Sequence, residues 1–345
     1  MATTTLTVTA PPKISHLVTS LETSRPDEPL PQDFLDEARS VQKESFDAQK
    51  HLAYQPPKSI SSMKDLGLDG QGVSPNAVTE PFKLFSEAAI KQMRSEIFSQ
   101  DVLDNCQYSS PFVKRTVRGM GPKRAPFTYD AWRSKEVLDK ISEVAGIELV
   151  PVMDTEISAV NIVVNGAGAI PRAATTGDKK VEDEASAFAW HYDSYPFVCV
   201  TMLSDCTGMV GGETAVKTGT GEVLKVRGPA MGTAVVMQGR YIYHQALKAL
   251  GGRERISMIT SFRPKSMHVK DESVLTGVRG ISNLDELYSD YTQYRLELLE
   301  DRFKEMARQQ RRRVGEGKPF NTRAVKKFLR EQQEYLETTI HELVE

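Results

Sequence analysis

Residues 187–203 have the sequence AFAWHYDSYPFVCVTML and lie at the centre of a β-rich region. They contain two short segments rich in aromatic and β-branched residues, on either side of Pro196. Similar segments recur from about residue 147 to residue 265, namely IELVPV, ISAVNIVV, ETAVKT, EVLKV, TAVVMQ, IYHQAL and RISMITSF. Such a series of short strands, separated by glycine and proline turns, predicts a sandwich or barrel of the jelly-roll type.

Helical periodicity flanks this β-rich region, which makes the predicted fold class α+β. Before it, SEAAIKQMRSEIFS begins at the N-cap residue Ser86, and SKEVLDKISEVAG ends at Gly146, where a left-handed C-cap is favoured. After residue 282, apolar residues recur by three and four up to Met306, and Gly315 then ends the pattern. A second helix follows Asn321. Its predicted apolar stripe consists of Val325, Phe328, Gln332, Leu336, Ile340 and Leu343.

These patterns divide the chain into three parts. Residues 1–75 are expected to form a partly disordered arm, because apolar residues are sparse there, with one amphipathic helix over residues 32–50. Residues 76–282 are the predicted core, with the jelly roll at about 147–265. Residues 283–345 predict an antiparallel helical hairpin that packs on the core or on a second subunit, so a homodimer through the C-terminal helices is a hypothesis.

Composition restricts the kind of partner. The chain has 44 basic and 46 acidic residues and a net charge of -2, so no bulk charge attracts nucleic acid or an anionic membrane. Its three cysteines have no C-x-x-C spacing, which argues against a disulfide framework or structural zinc site. The first residues lack a signal-peptide pattern, and no stretch is apolar enough to span a bilayer. We therefore expect a soluble cytoplasmic protein that binds a small molecule.

A metal site is predicted from three side chains. His191 and Asp193 are two residues apart in AFAWHYD, so on a strand they point to the same face, whereas Tyr192 points to the other. His244, in the later segment RYIYHQAL, is the third candidate ligand. Two imidazoles and one carboxylate on one face of iron(II) leave open coordination positions, which suit a bidentate 2-oxo acid and dioxygen.

An acid such as 2-oxoglutarate carries a second carboxylate, which needs a fixed cation with planar two-point geometry. Arg255 in RERISMITSF meets this need, and Ser257 lies on the same strand face, where its hydroxyl can donate a hydrogen bond. Arg253 and Arg263 compete with Arg255 for this role. Arg253 is the closer rival because it shares the face, but it lacks the serine partner.

Taken in order, H-x-D, GGET at 211–214, G-x-A-V-V at 232–236, His244 and R-x-S resemble the iron(II)/2-oxoglutarate-dependent dioxygenase superfamily, especially its prolyl-hydroxylase-like members. The resemblance covers about residues 147–265. It implies a double-stranded β-helix in which iron(II) is held by His191, Asp193 and His244, and 2-oxoglutarate by Arg255 and Ser257. Arginine departs from the prolyl-hydroxylase branch, where lysine is common. An acid at position 193 leaves no coordination position for chloride, so halogenation is not expected.

The resemblance implies an enzyme that uses dioxygen to oxidise an unactivated C–H bond. The arm and the helical hairpin are similar to those of oxygenases of fungal specialised metabolism, including the aziridine-forming valine oxidase branch, so the expected substrate is a small metabolite, in particular an aliphatic amino acid. Hydroxylation, desaturation and oxidative cyclisation all remain open. Two alternatives are a prolyl-type hydroxylase of protein residues and a non-catalytic metal-binding protein whose hairpin mediates assembly.

Further residues are candidates for contact with substrate or co-substrate. Asn161 and Thr201 lie on strands expected to neighbour the metal site, and Tyr192 and Tyr195 flank the ligands, although packing is the alternative role for these two aromatic residues. Arg172 lies in the polar stretch 166–186, which predicts either a lid over the site or a disordered loop.

Overall fold

The computed structural model describes residues 24–109, 114–164, 190–226 and 230–345. Helices and antiparallel sheets alternate along these ranges. The helices are α1 (Gln32–Arg39), α2 (Ala48–His51), α3 (Glu87–Ile97), α4 (Gln100–Asn105), α5 (Gly121–Arg124), α6 (Pro126–Arg133), α7 (Lys135–Ala145), α8 (Leu284–Gly315) and α9 (Thr322–Glu342). In the part of the chain that the structure describes, no helix combines the length and the apolar character needed to cross a membrane.

The strands are short, apart from the last one. They are β1 (Ile60–Ser62), β2 (Asn76–Thr79), β3 (Phe82–Lys83), β4 (Gln107–Tyr108), β5 (Thr116–Val117), β6 (Leu149–Pro151), β7 (Ala159–Val164), β8 (Phe197–Met202), β9 (Val210–Gly211), β10 (Thr214–Lys217), β11 (Val223–Val226), β12 (Thr233–Met237), β13 (His244–Ala246), β14 (Ala249–Leu250) and β15 (Glu254–Pro264). The strands predicted between residues 147 and 265 correspond to β6–β8, β10–β13 and β15. The predicted strand AFAWHYD is not found as such: residues 187–189 lie outside the described residues, and residues 190–193 form only an isolated bridge at His191.

The described residues form three sheets. The largest has the strand order β1-β2-β12-β8-β15-β7-β5-β4, with β3 beside β12 and β6 beside β15. A second sheet has the order β11-β10-β13, and β14 pairs with β9. Each pairing between these strands is antiparallel. The fold is therefore a mixture of helices and antiparallel sheet.

Strand β15 separates two cores because its side chains alternate between the faces of the large sheet. Ile256, Met258 and Phe262 point to the helical side and join a cluster that includes Trp132. Ile259 points to the other side and packs with a cluster drawn from both sheets, formed by Val198, Val235, Met237, Val216 and Ile242. We call the side of β15 that carries Ile259 the inner face, since it is enclosed between the large and the three-stranded sheet.

Helices α3 and α7 begin and end as their sequences predict. The Ser86 hydroxyl accepts the Ala89 N–H at the start of α3, and the Ser134 hydroxyl accepts the Val137 N–H at the start of α7. Gly146 ends α7 in the left-handed conformation, with φ of 71°. Helix α7 packs against β2, β6 and β12 of the large sheet, whereas α3 packs against α1, α2 and α6 in the same helical-side core.

The N-terminal segment differs from the expected single helix over 32–50. Helix α1 stops at Arg39 and α2 starts only at Ala48. Between them the chain is held by Gln92, whose side-chain amide donates to the Gln42 carbonyl at 2.7 Å and accepts the Glu44 N–H at 3.4 Å. Residues 24–75 also pack on the core, with Phe34 and Leu66 buried, although residues 1–23 of the predicted arm lie outside the described range.

The C-terminal helices pack on the core through a third cluster, but α9 is oriented differently from the prediction. Leu287, Tyr291 and Leu298 of α8 are buried in that cluster. The buried residues of α9 are Gln332, Tyr335, Thr339 and Glu342, whereas the predicted stripe residues Leu336 and Ile340 are 40% and 69% exposed. The physical reason is hydrogen bonding. Arg295 of α8 donates to the Thr339 hydroxyl at 2.9 Å and to the Tyr335 carbonyl at 2.8 Å, which turns these polar groups inward.

Candidate metal centre

His191 and His244 are brought together by an antiparallel bridge. The His191 N–H donates to the His244 carbonyl at 2.9 Å, and the His244 N–H donates to the His191 carbonyl at 3.0 Å. Residues that exchange both hydrogen bonds in this way have their side chains on the same face. The two imidazole centroids are accordingly only 4.4 Å apart. Backbone pairing thus places two of the three predicted ligands side by side.

Asp193 completes the cluster. Its Oδ1 atom is 3.4 Å from His191 Nε2 and 3.6 Å from His244 Nε2. One donor atom from each residue lies within 4.8 Å of the other two. Bonds of roughly 2.0–2.2 Å to a single ion fit donors at this separation. The His191 side chain is 39% exposed and that of His244 only 7%, so the cluster opens to solvent on the His191 side.

The position of the Asp193 carboxylate depends on Gly239, which sequence reasoning missed. The Asp193 N–H donates to the Gly239 carbonyl at 2.9 Å. A β-carbon at residue 239 would lie 1.7 Å from Asp193 Oδ2, far inside van der Waals contact. Only glycine leaves room for the carboxylate. A signal was present, because a glycine directly after the strand segment TAVVMQ suggests a close approach by another group.

Hydrogen bonding and charge favour the protonation states in which these side chains bind a cation. The Nδ1 atom of His244 is 2.8 Å from the Ile242 carbonyl, so Nδ1 carries the proton and Nε2 remains available as a ligand. Burial lowers the pKa of His244 below its ordinary value, which favours the neutral imidazole that binds metal. Burial alone would raise the pKa of Asp193, but the nearby His244 and His191 outweigh it, so the carboxyl pKa lies below its ordinary value.

Residues 271–279 form a segment that we call the strap. It is hydrogen-bonded to Ser194, next to Asp193, and to Arg240, next to Gly239. The Val274 N–H donates to the Ser194 carbonyl at 2.9 Å, and the Gly277 N–H donates to the Ser194 hydroxyl at 3.3 Å. Arg240, directly after Gly239, donates from Nε to the Glu272 carbonyl at 3.0 Å. The strap therefore contacts the neighbours of both Asp193 and Gly239.

Arg255, Ser257 and Asn161 share the inner face. Arg255 and Ser257 precede Ile259 along β15 at intervals of two, in a continuous register, and Ser257 is paired directly with Asn161 of β7. Gly212, just before β10, approaches Arg255: a β-carbon there would lie 3.5 Å from Arg255 Nε. Strand β10 then pairs with β13 and places Val216 opposite His244. One strand thus connects the region of Arg255 with the metal ligands.

The surroundings of the competing arginines differ from those of Arg255. Arg253 is paired with Asp33 at 3.3 Å and with Glu37 at 2.8 Å. Arg263 donates to the Pro264 carbonyl at 3.3 Å and lies over the Tyr294 ring. Within the described ranges, no carboxylate lies at ion-pair distance from Arg255. Burial lowers its pKa, but a guanidinium remains protonated at neutral pH. Arg255 is thus a half-buried cation on the inner face.

Three other predicted contacts are not brought to the metal ligands. Thr201 is paired with Met258 and Ala234, and so points to the helical side of the sheet. Tyr195 is buried in the cluster beneath the C-terminal helices. Tyr192 alternates with the ligands and packs on Tyr243, with ring centroids 5.0 Å apart, behind the ligand face. In each case the alternation of side chains along the strand, or a competing core, directs the residue away from the site.

Arg172 and the predicted lid at residues 166–186 lie outside the described residues. The aromatic backing of the site was another feature that sequence reasoning missed. Trp190 stacks on Tyr243 with centroids 5.5 Å apart and an interplanar angle of 24°. Because Trp190 and Tyr243 directly precede His191 and His244, this stacking supports the bridge from its outer side. The alternation of aromatic and ligand residues in WHYD and YH is the signal that could have indicated it.

Comparisons with known proteins give structural neighbours but no sequence relative. No protein-family profile matches the chain, and no curated protein matches it significantly. A Burkholderia pseudomallei oxidoreductase of the 2OG-Fe(II) oxygenase family aligns at 14% identity and a TM-score of 0.31, over 43% of this chain and 65% of that one. This chain thus covers just under two thirds of that neighbour.

Two further neighbours have similar scores. A Pseudomonas putida prolyl-4-hydroxylase aligns at 16% identity and a TM-score of 0.32, over 52% of this chain and 89% of that one. HygX of Streptomyces hygroscopicus, whose structure has nickel and 2-oxoglutarate bound, aligns at 14% identity and a TM-score of 0.32, over 52% and 80% of the two chains. At such scores the similarity does not by itself assign this chain to a family.

Proposed function

We propose that this chain is an iron(II)/2-oxoglutarate-dependent oxygenase whose two facing sheets form a double-stranded β-helix around the metal. The observation that carries the proposal is the His191, Asp193 and His244 cluster, in which one donor atom of each residue lies within 4.8 Å of the others. Two imidazoles and one carboxylate on one side of an ion are the ligand set of non-haem iron(II) oxygenases that keep open positions for co-substrates.

The donor atoms fit such an ion. The Nδ1–H group of His244 donates to the Ile242 carbonyl, so Nε2 can bind the metal. Because Gly239 has no side chain, there is space for the Asp193 carboxylate. Iron(II) bound here together with 2-oxoglutarate supplies the oxidising chemistry, in which dioxygen is consumed, 2-oxoglutarate becomes succinate and carbon dioxide, and a substrate C–H bond is broken. The protein contributes orientation and exclusion of water.

Arg255 and Ser257 are the proposed binding residues for the distal carboxylate of 2-oxoglutarate. The half-buried guanidinium on the inner face has no described carboxylate as a partner, and Ser257 is buried two residues further along the same face. A planar guanidinium binds a carboxylate through two parallel hydrogen bonds, and the serine hydroxyl adds a third. Asn161, opposite Ser257, is positioned on this face to contact the co-substrate or the substrate.

For the substrate we propose a small metabolite, in particular an aliphatic amino acid, oxidised by hydroxylation, desaturation or cyclisation in cytoplasmic specialised metabolism. The wall near the ligands supports an aliphatic portion, because Val216 lies opposite His244 and joins Val198 and Met237 in one apolar cluster. The proposed polar contacts Arg255, Ser257 and Asn161 lie on β15 and the neighbouring β7. Such a division between apolar wall and fixed cations is typical of small-molecule sites.

The test is an anaerobic titration of iron(II) and 2-oxoglutarate into the protein, which follows the weak visible charge-transfer band of a chelated 2-oxo acid. We expect the band in the wild type and its loss in Asp193→Ala, with the exposed Asp205→Ala as a matched control that retains it. Succinate release in the presence of oxygen is the second readout. A wild type that binds iron(II) but gives neither band nor succinate would contradict the proposal and favour a non-catalytic metal-binding protein.

A further inference from the structure

Helix α9 buries several polar residues and leaves an apolar stripe exposed. Its buried face includes Gln332, Thr339 and Glu342, whereas Leu329, Leu336 and Ile340 are 50%, 40% and 69% exposed. The three apolar residues are spaced by seven and four, which places them on one face of the helix. Described residues of this chain leave that face open to solvent. An apolar stripe on the outside of a helix marks an interaction surface.

Helix α8 extends this surface. Leu296 and Phe303, seven residues apart and therefore on one face, are 55% and 44% exposed. Leu296 lines a groove together with Leu343, at the end of α9. The ring of Phe303 meets the ring of Phe328 edge to face, with centroids 5.4 Å apart. Leu296 and Phe303 thus lie beside the two ends of α9, and together with the α9 stripe they make up what we call the hairpin face.

Charges along α9 indicate which partner fits the hairpin face. The exposed basic residues of α9 lie towards its start and the exposed acidic residues towards its end: Arg323, Lys326, Lys327 and Arg330, then Glu331, Glu334 and Glu337. Arg330 and Glu337 directly follow Leu329 and Leu336, so both lie along the same edge of the apolar stripe. Two copies of α9 placed antiparallel bring the basic half of each against the acidic half of the other. A parallel pair would oppose like charges.

We infer that the hairpin face binds a second copy of this chain through an antiparallel α9–α9 contact. In this arrangement the two-fold axis passes close to Gln333, the Leu329 side chain packs between Leu336 and Ile340 of the partner helix, and Arg330 faces Glu337. The contact is isologous, since each copy contributes the same residues. The inference concerns assembly and does not depend on the proposed enzymatic function.

The first test is the mass of the full chain in solution, measured by sedimentation equilibrium between about 1 and 100 µM, a range that covers moderate dimer affinities. A dimer is expected for the wild type. The double variant Leu336→Glu, Ile340→Glu is expected to be monomeric with an unchanged circular dichroism spectrum. A wild type that is monomeric throughout, or a dimer that the double variant leaves intact, would overturn the inference.

Charge exchange tests the antiparallel orientation. In a dimer of Arg330→Glu, acidic residues 330 and 337 of the two copies face each other at each end of the contact. In a dimer of Glu337→Arg, two basic residues face each other there. Each single variant is therefore expected to weaken self-association at least tenfold. In an equal mixture, acidic groups of the first variant face basic groups of the second at both ends of a mixed dimer, so dimers should be recovered. The exposed Lys304→Glu on α8 is the matched control and should dimerise like the wild type. Failure of the mixture to recover dimers would exclude the antiparallel arrangement.

Discussion

The guanidinium of Arg279 donates to the carboxylate of Glu342 at 2.5 Å, and the pair is buried, with side chains 9% and 4% exposed. Glu342 also accepts the Leu275 N–H at 2.7 Å. Leu275 and Arg279 belong to the strap, and Glu342 is the last residue of α9. The end of the C-terminal helix is therefore hydrogen-bonded to the same segment that holds Ser194, next to the proposed metal ligand Asp193.

Removal of the Glu342 carboxylate should destabilise the whole protein. Glu342→Ala leaves the Arg279 guanidinium buried without its counter-charge and the Leu275 N–H without its acceptor. Loss of one partner of a buried ion pair costs about 3–5 kcal/mol. We expect a decrease of this size in the free energy of unfolding, measured by urea denaturation. Glu136→Ala, at an exposed position of α7 outside the proposed dimer contact, is the control and should change the free energy by less than about 0.5 kcal/mol.

The same variant should also weaken metal binding, because the strap positions Ser194 and Arg240. We expect the iron(II) dissociation constant of folded Glu342→Ala to rise about tenfold, in the range found when groups around metal ligands are changed. Anaerobic calorimetry at low temperature and without urea measures this constant on folded protein. Unchanged affinity in a destabilised variant would mean that the strap serves stability alone.

Gly239→Ala should damage the metal site with little effect elsewhere. The added methyl group would overlap Asp193 Oδ2, so the carboxylate must rotate away from the two imidazoles. The expected loss of iron(II) affinity is about 10- to 100-fold. Gly280→Ala is the matched control, because a β-carbon there meets no atom within 4 Å. Equal affinities of the two variants would show that the tight approach at residue 239 has no part in holding Asp193.

Cys106 and Cys199 should be unreactive in the folded protein because both are buried. Burial raises the pKa of Cys106 to about 11 and that of Cys199 to about 12. At pH 8 their thiolate fractions are then roughly one in a thousand and one in ten thousand, and the thiolate is the form that reacts. Iodoacetamide labelling followed by mass spectrometry should modify Cys206, which is half-buried, well before the other two. Denatured protein, in which all three should react, is the control.

Local alternation made much of the site predictable. His191 and Asp193 could be placed on one face because a strand repeats every two residues, and His244 could be assigned because it lies on a later predicted strand. The same rule also gave Arg255 and Ser257 a common face. The alternation rule did not predict to which face of the large sheet a single strand residue points. Thr201 was therefore expected near the ligands, although its pairing with Met258 and Ala234 directs it to the helical side.

Long-range hydrogen bonds explain where sequence patterns failed. The helix expected over residues 32–50 is interrupted because Gln92, distant in sequence, binds Gln42 and Glu44. Helix α9 buries polar residues because Arg295 supplies hydrogen bonds to Thr339 and Tyr335. Apolar residues at helical spacing show that one face of α9 is apolar. They do not show whether that face points towards the core or towards solvent. Such partners lie far away in the chain, and no local window of sequence contains them.

Variants of Arg255 and Arg253 test the proposed 2-oxoglutarate site. Arg255 is the proposed partner of the distal carboxylate, whereas Arg253 belongs to a surface ion pair. Arg255→Ala removes the proposed two-point partner of the distal carboxylate, and loss of a buried charge-pair partner costs about 2–5 kcal/mol. We therefore expect the 2-oxoglutarate dissociation constant to rise by at least about 30-fold, with iron(II) affinity in the absence of 2-oxoglutarate unchanged. Arg255→Lys should recover only part of the affinity, because an ammonium lacks the planar fork.

Arg253→Ala is the matched control, since it lies two residues from Arg255, directly before β15, and points to α1 on the helical side and not to the inner face. Its exposed pairs with Asp33 and Glu37 contribute at most about 1 kcal/mol to stability, and no effect on 2-oxoglutarate affinity is expected. The measurement is the anaerobic titration followed by the charge-transfer band. If Arg253→Ala weakens 2-oxoglutarate binding and Arg255→Ala does not, the cation has been assigned to the wrong arginine. If both variants weaken iron(II) binding equally, the strand itself has been disturbed and the assignment loses its support.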